Sequence, residues 1–238
     1  MDQKRPLTFT TFMLRLFSGI VGGAAGTLAL FIVYFLMSSL VPPSDAEGPS
    51  SLTMFVVIIM TFVGTLIANT VTGVMVTFMD NVKYSRRKTT IVHIFLFNLI
   101  LFFVTIPLYL IGSASTLNIV NGVAAVHFLL SAFITALIME VLAGAEYSLL
   151  GIYSTALGMF VSIAIALAMM AGGVRPISIM FAAMPGVWFI LEIVSGFTEL
   201  VYDNYVKLYG TDFLNIQTDL GGDKEIEKEE ESEEDEEK

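Results

Sequence analysis

Long apolar segments alternate with short polar ones between residues 14 and 201, and this pattern predicts six membrane-spanning helices. Each apolar segment is at least as long as the roughly 20 residues that a helix needs to cross the hydrocarbon core of a bilayer. The predicted spans are approximately residues 14–41, 52–79, 89–111, 119–142, 149–171 and 176–201. We therefore predict an all-α integral membrane protein, a bundle of six transmembrane helices joined by short loops.

Two polar terminal segments flank the predicted transmembrane domain, which comprises residues 14–209. Residues 1–13 combine Lys4 and Arg5 with aromatic residues, which predicts a cytoplasmic or interfacial N-terminal segment. Residues 210–238 end in an acidic block, with 12 acids and 3 lysines between positions 219 and 238. Such a block repels itself, so we predict a disordered acidic cytoplasmic tail, which is either merely solvated or docks a cytoplasmic partner.

The basic residues of the loops predict the orientation of the bundle. Six spans place both termini on one side of the membrane. The basic residues on that side are Lys4, Arg5, Arg15, Lys83, Arg86, Arg87, Lys88 and Lys207, whereas the other side has Arg175. Because positively charged loops stay on the cytoplasmic side, the N- and C-termini are both predicted to be cytoplasmic.

The composition agrees with a membrane location and excludes several functions. Hydrophobic residues make up 55% of the chain and charged residues 14%, with a mean hydropathy of +0.79, which is too apolar for a soluble domain. The net charge of −10 argues against nucleic acid as a partner, because the chain has no basic surface. There is no cysteine, and two distant histidines do not make a metal centre, so we expect no cofactor and no metal.

Small residues recur at helical spacing in two of the predicted spans. Gly19, Gly22, Gly23 and Gly26 form overlapping GxxxG patterns in the first span, and Gly151 and Gly158 belong to a stripe of small residues in the fifth. Glycines at this spacing let a neighbouring helix approach closely. Packing inside the bundle is the favoured interpretation, with homodimerisation as the alternative.

Five spans place a polar residue at a similar predicted depth. Counting inward at about 1.5 Å per residue puts Asn69, Asn98, Thr155 and Glu192 roughly 9–14 Å deep, with Thr135 close to that level. An acid in hydrocarbon requires a partner, a proton or water. These five residues are therefore predicted to form an intramembrane polar or ion site.

Three further acids, Glu140, Glu146 and Glu199, are predicted to form a ring nearer the cytoplasm, with Arg15, Arg86 and Arg87 as charge partners. Glu199 is placed at the headgroup boundary, so Glu192 alone is expected to need a special explanation. In the favoured interpretation, Glu192 is protonated or paired with Arg15 and stabilises the bundle. In the alternative, Glu192 binds a cation or a proton, and the acidic ring is the mouth of that site.

No catalytic motif is present in the sequence. We find no GxSxG, HExxH or phosphate-binding glycine loop. His127 and Ser131 are four residues apart, but no acid lies at their depth to orient the histidine, so they are interpreted as a packed polar pair. We therefore expect that the protein is not an enzyme.

Together these patterns favour a non-catalytic, multi-pass membrane protein that is an embedded subunit of a transport complex or another multisubunit membrane complex. Its expected partners are the lipid bilayer and either other membrane subunits or further copies of itself. One alternative is a stand-alone cation- or proton-coupled carrier or channel that uses Glu192. Another is a structural or trafficking protein that acts through its acidic tail.

Overall fold

The computed structural model describes residues 8–40, 50–80, 83–84, 87–113, 117–143 and 145–209, and its regular structure in these ranges is helical. A short 3₁₀ turn, Ser38–Leu40, follows the first helix. The six α-helices are α1 (Phe9–Met37), α2 (Ser51–Met79), α3 (Arg87–Ser113), α4 (Leu117–Leu142), α5 (Ala145–Ala171) and α6 (Pro176–Tyr209).

All six helices are long and apolar enough to cross a membrane, and the mean hydropathy of their most apolar windows runs from 1.5 in α6 to 2.5 in α3. The prediction of an all-α, multi-pass membrane protein is confirmed. The value for α6 is the lowest because this helix carries acidic residues within its apolar sequence. The cytoplasmic location of the termini stays a prediction, and the acidic tail, residues 210–238, lies outside the described residues.

Several helices extend beyond the predicted spans, most clearly at the start of α1 and the end of α6. Helix α1 begins at Phe9 rather than near residue 14, because Thr8 caps it by accepting a hydrogen bond from the backbone N–H of Thr11 at 3.2 Å. Helix α6 continues to Tyr209 rather than ending near residue 201. Among the described residues, those up to Leu200 form one compact unit, and residues 201–209, the last turns of α6, belong to a second.

The glycine-rich face of α1 packs within the chain. Side chains added at Gly22 would collide with Thr72 of α2, and side chains added at Gly23 would collide with the backbone of Pro185 of α6. A side chain at Gly26 would meet both neighbouring helices. The absence of side chains at these positions therefore lets α1 lie directly against α2 and α6. Helix α2 in turn packs on α3 and α4, and α4 packs on α5.

The apolar core consists of two clusters toward opposite ends of the bundle. One cluster includes Leu30, Met54, Val56, Tyr109, Val120, Phe128, Ile179 and Met184. The other includes Val76, Tyr84, Ile94, Ala136, Met139, Val187, Trp188 and Leu191. The second cluster adjoins nearly all of the buried charged groups described below. We call the end around the first cluster the apolar half and the end around the second the charged half.

Candidate functional site: a buried charge network

Arg15 is the centre of a network of charged groups that lies inside the charged half. It stands in the second turn of α1 and is only 1% exposed. Its Nη1 and Nη2 donate to the two carboxylate oxygens of Glu199 at 3.1 and 3.2 Å, and Nη2 also donates to Ser195 Oγ at 3.0 Å. Its Nε lies 3.5 Å from Glu192 Oε2. Glu192, Ser195 and Glu199 follow the spacing of one helix face, so a single guanidinium contacts three successive positions on α6.

Lys83 is a second buried cation, and it is contributed by the connection between α2 and α3. Its Nζ lies 2.7 Å from Glu199 Oε1 and 2.8 Å from Glu140 Oε2. The neighbouring Tyr84 donates its hydroxyl proton to Glu140 Oε1 at 2.6 Å. Glu199 is therefore shared between Arg15 and Lys83, and the connection joins α1, α4 and α6.

Burial and charge both act on the two residues of this connection, which lie outside the spans. Burial alone would lower the pKa of Lys83, but the carboxylates of Glu140 and Glu199 outweigh it and raise the pKa above its ordinary value. Burial raises the pKa of the Tyr84 hydroxyl, and the charge of Glu140 raises it further. Lys83 is thus held as a cation and Tyr84 as a neutral hydrogen-bond donor.

The network contains more acids than bases. Asp80 lies 3.6 Å from Arg15 Nη1, which adds a fourth carboxyl group to those of Glu140, Glu192 and Glu199. These four face two cations, Arg15 and Lys83. If every group were ionised, the described part of the network would carry two uncompensated negative charges.

A cavity of about 20 Å³ adjoins this network between α4, α5 and α6. The residues around it are Tyr84, Ala136, Met139, Glu140, Thr155, Trp188, Leu191, Glu192 and Ser195. The α5 side is open to Glu140 because Gly151 has no side chain, and a side chain there would collide with the Glu140 carboxylate. The cavity is large enough for one water molecule.

A separate cluster of amides links four helices beside the network, and we call Asn69, Asn98, Thr135 and Trp188 the amide cluster. Asn69 Nδ2 donates to Asn98 Oδ1 at 2.7 Å, and Asn98 Nδ2 donates to Thr135 Oγ1 at 2.9 Å. Trp188 Nε1 donates to Asn69 Oδ1 at 3.1 Å. The oxygens that could have faced a cation are therefore hydrogen-bonded to neighbouring helices.

The structure divides the predicted intramembrane site between two places. Asn69, Asn98 and Thr135 are joined in the amide cluster, whereas Thr155 and Glu192 line the cavity of the charge network. Among the helix-packing glycines, Gly19 faces Glu192 and the backbone of Trp188, and Gly158 faces Leu191 of α6. These separate positions follow from helix rotation, because equal depth does not imply a common neighbour.

The predicted acidic ring and its partners are also rearranged. Glu199 is 6% exposed and bound by Arg15 and Lys83, so it is buried among protein groups, and its depth in the membrane stays a prediction. Glu140 pairs with Lys83, a base that was not among its predicted charge partners. The side chains of Glu146 and Arg87, and the whole of Arg86, lie outside the described residues.

His127 and Ser131 do not contact each other through a hydrogen bond. His127 Nδ1 lies 2.8 Å from Thr105 Oγ1 of α3, and Ser131 donates to the backbone oxygen of Phe128 at 2.9 Å. Each residue makes its own hydrogen bond to a different group, so the two do not form a histidine–serine dyad in this arrangement.

Several residues of the network were not singled out by the sequence patterns. Lys83 and Asp80 looked like ordinary loop charges, and Trp188 looked like an ordinary residue of a span. Ser195, in contrast, stands between Glu192 and Glu199 at the spacing of one helix face, which the sequence itself shows. Nothing in the linear pattern distinguished Lys83 from the other bases of its loop.

The described residues contain no group of three or more histidine, cysteine, aspartate or glutamate side chains that could hold a metal ion. Comparison of the chain with protein-family models, curated protein sequences and solved structures gave no match.

Proposed function

We propose that the protein is a non-catalytic subunit embedded in a multisubunit membrane assembly. The observation that carries this proposal is the position of Arg15, which is buried and bound to Glu192, Ser195 and Glu199 of α6. An unpaired charge in a membrane interior is costly, and the Arg15 cation is paired with carboxylates of α6 rather than left alone. They hold α1 and α6 in one arrangement, as a rigid scaffold requires.

The outer surface supports a role in assembly. Large apolar side chains of α1 and α3 are exposed, including Phe17, Phe35, Phe103 and Val104. In a bilayer these faces contact lipid or other membrane helices, and association there depends on van der Waals packing. The described part of the chain consists almost entirely of helices and short connections, so the spans themselves are the main surface available to partners.

The test is to purify the full-length protein in a mild detergent and measure the mass and composition of the particle. We expect a defined complex that contains other membrane proteins, and no ion flux when the purified chain is placed alone in liposomes. A variant that ends at residue 220 is the matched control, because it removes partners held by the acidic tail and keeps those held by the spans. A single chain that conducts ions in liposomes would overturn the proposal.

If deletion of residues 221–238 removed every partner, the protein would instead act through its acidic tail. Unchanged partners in this variant would count against the tail as the binding element.

A second candidate function is a proton-coupled carrier, which is favoured by the cavity between Glu140 and Glu192. A carrier requires an acid that exchanges its proton in a protected space. Glu192→Gln should then abolish flux in liposomes while the variant keeps the thermal stability of the parent protein. Flux at the parental rate in that variant would exclude this function.

A further inference from the structure

We propose that Glu140 and Glu192 form a reversible proton-binding site at the cavity between α4, α5 and α6. The site takes up one proton, which is held on a carboxyl oxygen of this pair. This proposal does not depend on the subunit role, because a scaffold and a carrier could both contain such a site.

The first argument is the imbalance of charge in the described part of the network. Four carboxyl groups are paired with two cations, and both cations are already shared among them. Uncompensated charge is expensive in a low-dielectric interior, so a carboxyl group there tends to be neutralised. Glu199 has two short contacts to cations, whereas Glu192 has one contact at 3.5 Å. Glu192 is thus the more weakly compensated of the two α6 acids in the network.

The second argument is a carboxylate oxygen at the cavity that has an ion-pair contact but no hydrogen bond. Glu140 Oε2 is buried and receives no hydrogen bond from any described residue. Lys83 Nζ lies 2.8 Å from it, but the lysine donates its hydrogen bonds to Oε1 of Glu140 and Oε1 of Glu199. Glu140 is 6% exposed and lines the same cavity as Glu192. The Lys83 ammonium attracts this oxygen, and the oxygen keeps a lone pair that can accept a proton.

The size and surroundings of the cavity favour a proton over a metal ion. A volume of about 20 Å³ admits one water molecule, which can carry a proton to the carboxyl pair. A metal cation would need a shell of several oxygen ligands and would also stand close to Arg15 and Lys83. A proton binds to a single oxygen and directly neutralises the carboxylate that it binds.

The charged and titratable groups around the pair come from four parts of the chain. Among the described residues they are Arg15 from α1, Asp80, Lys83 and Tyr84 from the end of α2 and its connection, Glu140 from α4, and Glu192 and Glu199 from α6. The α5 side contributes Gly151 and Thr155 to these surroundings. Arg15 and Lys83 remain cationic near neutral pH, so the proton is exchanged by the acids.

Trp188 provides a built-in probe, because it is the single tryptophan of the sequence and it lines the cavity. The experiment measures its fluorescence in the full-length protein as the pH is varied, at constant ionic strength. We expect one reversible transition, with the same midpoint in sodium and potassium salts. Glu192→Gln and Glu140→Gln should each abolish or shift this transition. Asp203→Asn, which removes an acid from the same helix, should leave it unchanged.

Two outcomes of this experiment would overturn the proposal. A transition that is identical in both glutamine variants would belong to another group. A fluorescence change produced by sodium at fixed pH, and lost in those variants, would show that the cavity binds a metal cation instead.

A second measurement applies even if the glutamine variants do not fold. Dicyclohexylcarbodiimide is an apolar reagent that modifies protonated carboxyl groups. Mass spectrometry can identify the labelled residues in the parent protein, which carries no substitution. We expect labelling of Glu140 or Glu192 that decreases as the pH rises. Absence of label from both residues at every pH at which the protein is folded would contradict the proposal.

Discussion

The charge network and the amide cluster meet at Trp188, yet they satisfy their polar groups in different ways. In the amide cluster Asn69, Asn98 and Trp188 each donate one hydrogen bond to a neutral oxygen on another helix. In the charge network two cations are divided among four acids. A matched neutral cluster holds helices together and needs nothing further. An ionic cluster with more acids than bases also holds helices together, but part of its negative charge has no cation to compensate it among the described residues.

The comparison predicts that the ionic cluster fails more severely when one member is removed. A neutral polar group whose partner is removed loses one hydrogen bond. A charged group whose partner is removed stays uncompensated in a low-dielectric interior, which costs more free energy. The four predictions that follow run from the largest expected effect to the smallest.

Arg15→Met should be the most damaging single change. It leaves Glu192 and Glu199 without their arginine, and breaking a buried ion pair in this way costs about 3–5 kcal/mol. We expect a large loss of thermal stability in detergent. Arg175→Met is the matched control, because Arg175 is exposed at a connection and its loss should have little effect. Adding Glu192→Gln and Glu199→Gln to the Arg15 variant should restore part of the stability. Equal stabilities of the two arginine variants would contradict a central role for Arg15.

Gly151→Ala should destabilise the protein through the same network. The added methyl group would collide with the carboxylate of Glu140, and overpacking of this kind costs about 1–3 kcal/mol. Gly122→Ala is the control, because a side chain there has nothing within 4 Å. Thermal unfolding of both variants measures the difference. Equal stability of the two alanine variants would contradict the close contact between α4 and α5 at Glu140.

Asn98→Ala should have a smaller effect, because it disrupts the neutral cluster. It removes the hydrogen-bond partners of Asn69 and Thr135, and hydrogen bonds between membrane helices contribute about 1–2 kcal/mol or less. The loss of thermal stability should be the same at pH 6 and pH 8, because no charge is involved. A strong dependence of this loss on pH would show that the amide cluster is coupled to the ionic one.

Raising the pH through the alkaline range should weaken the protein through Lys83 and Tyr84. The pKa values of Lys83 and Tyr84 are raised by folding, so their contribution to stability is present below their ordinary values of 10.5 and 10.0 and is lost as the pH rises beyond them. Thermal stability should therefore fall gradually above about pH 10. Tyr84→Phe should reduce the steepness of this fall. An unaltered slope would indicate that Tyr84 is not part of the alkaline transition.

The helices of the charged half and the pairing of Arg15 with Glu192 could be anticipated, but the other partners in the network could not. Spacing along α6 placed Glu192 and Glu199 on one face, and depth counting put Asn69, Asn98 and Thr135 at one level. The two cations that bind Glu199 could not be found by reading along one helix, because they approach it from α1 and from the connection after α2. Thr155 and Glu192 separated from the amides because spacing does not fix how each helix is rotated toward its neighbours.

The sequence by itself determined that this protein has six apolar helices, because a chain in hydrocarbon must satisfy its backbone hydrogen bonds within each segment. It also determined where the acids stand along those helices. Only the tertiary structure decided that Arg15 and Lys83 share Glu199 and that Glu140 and Glu192 border one cavity. Those pairings depend on which helices are neighbours and how they are rotated, and side-chain packing across the whole bundle sets both.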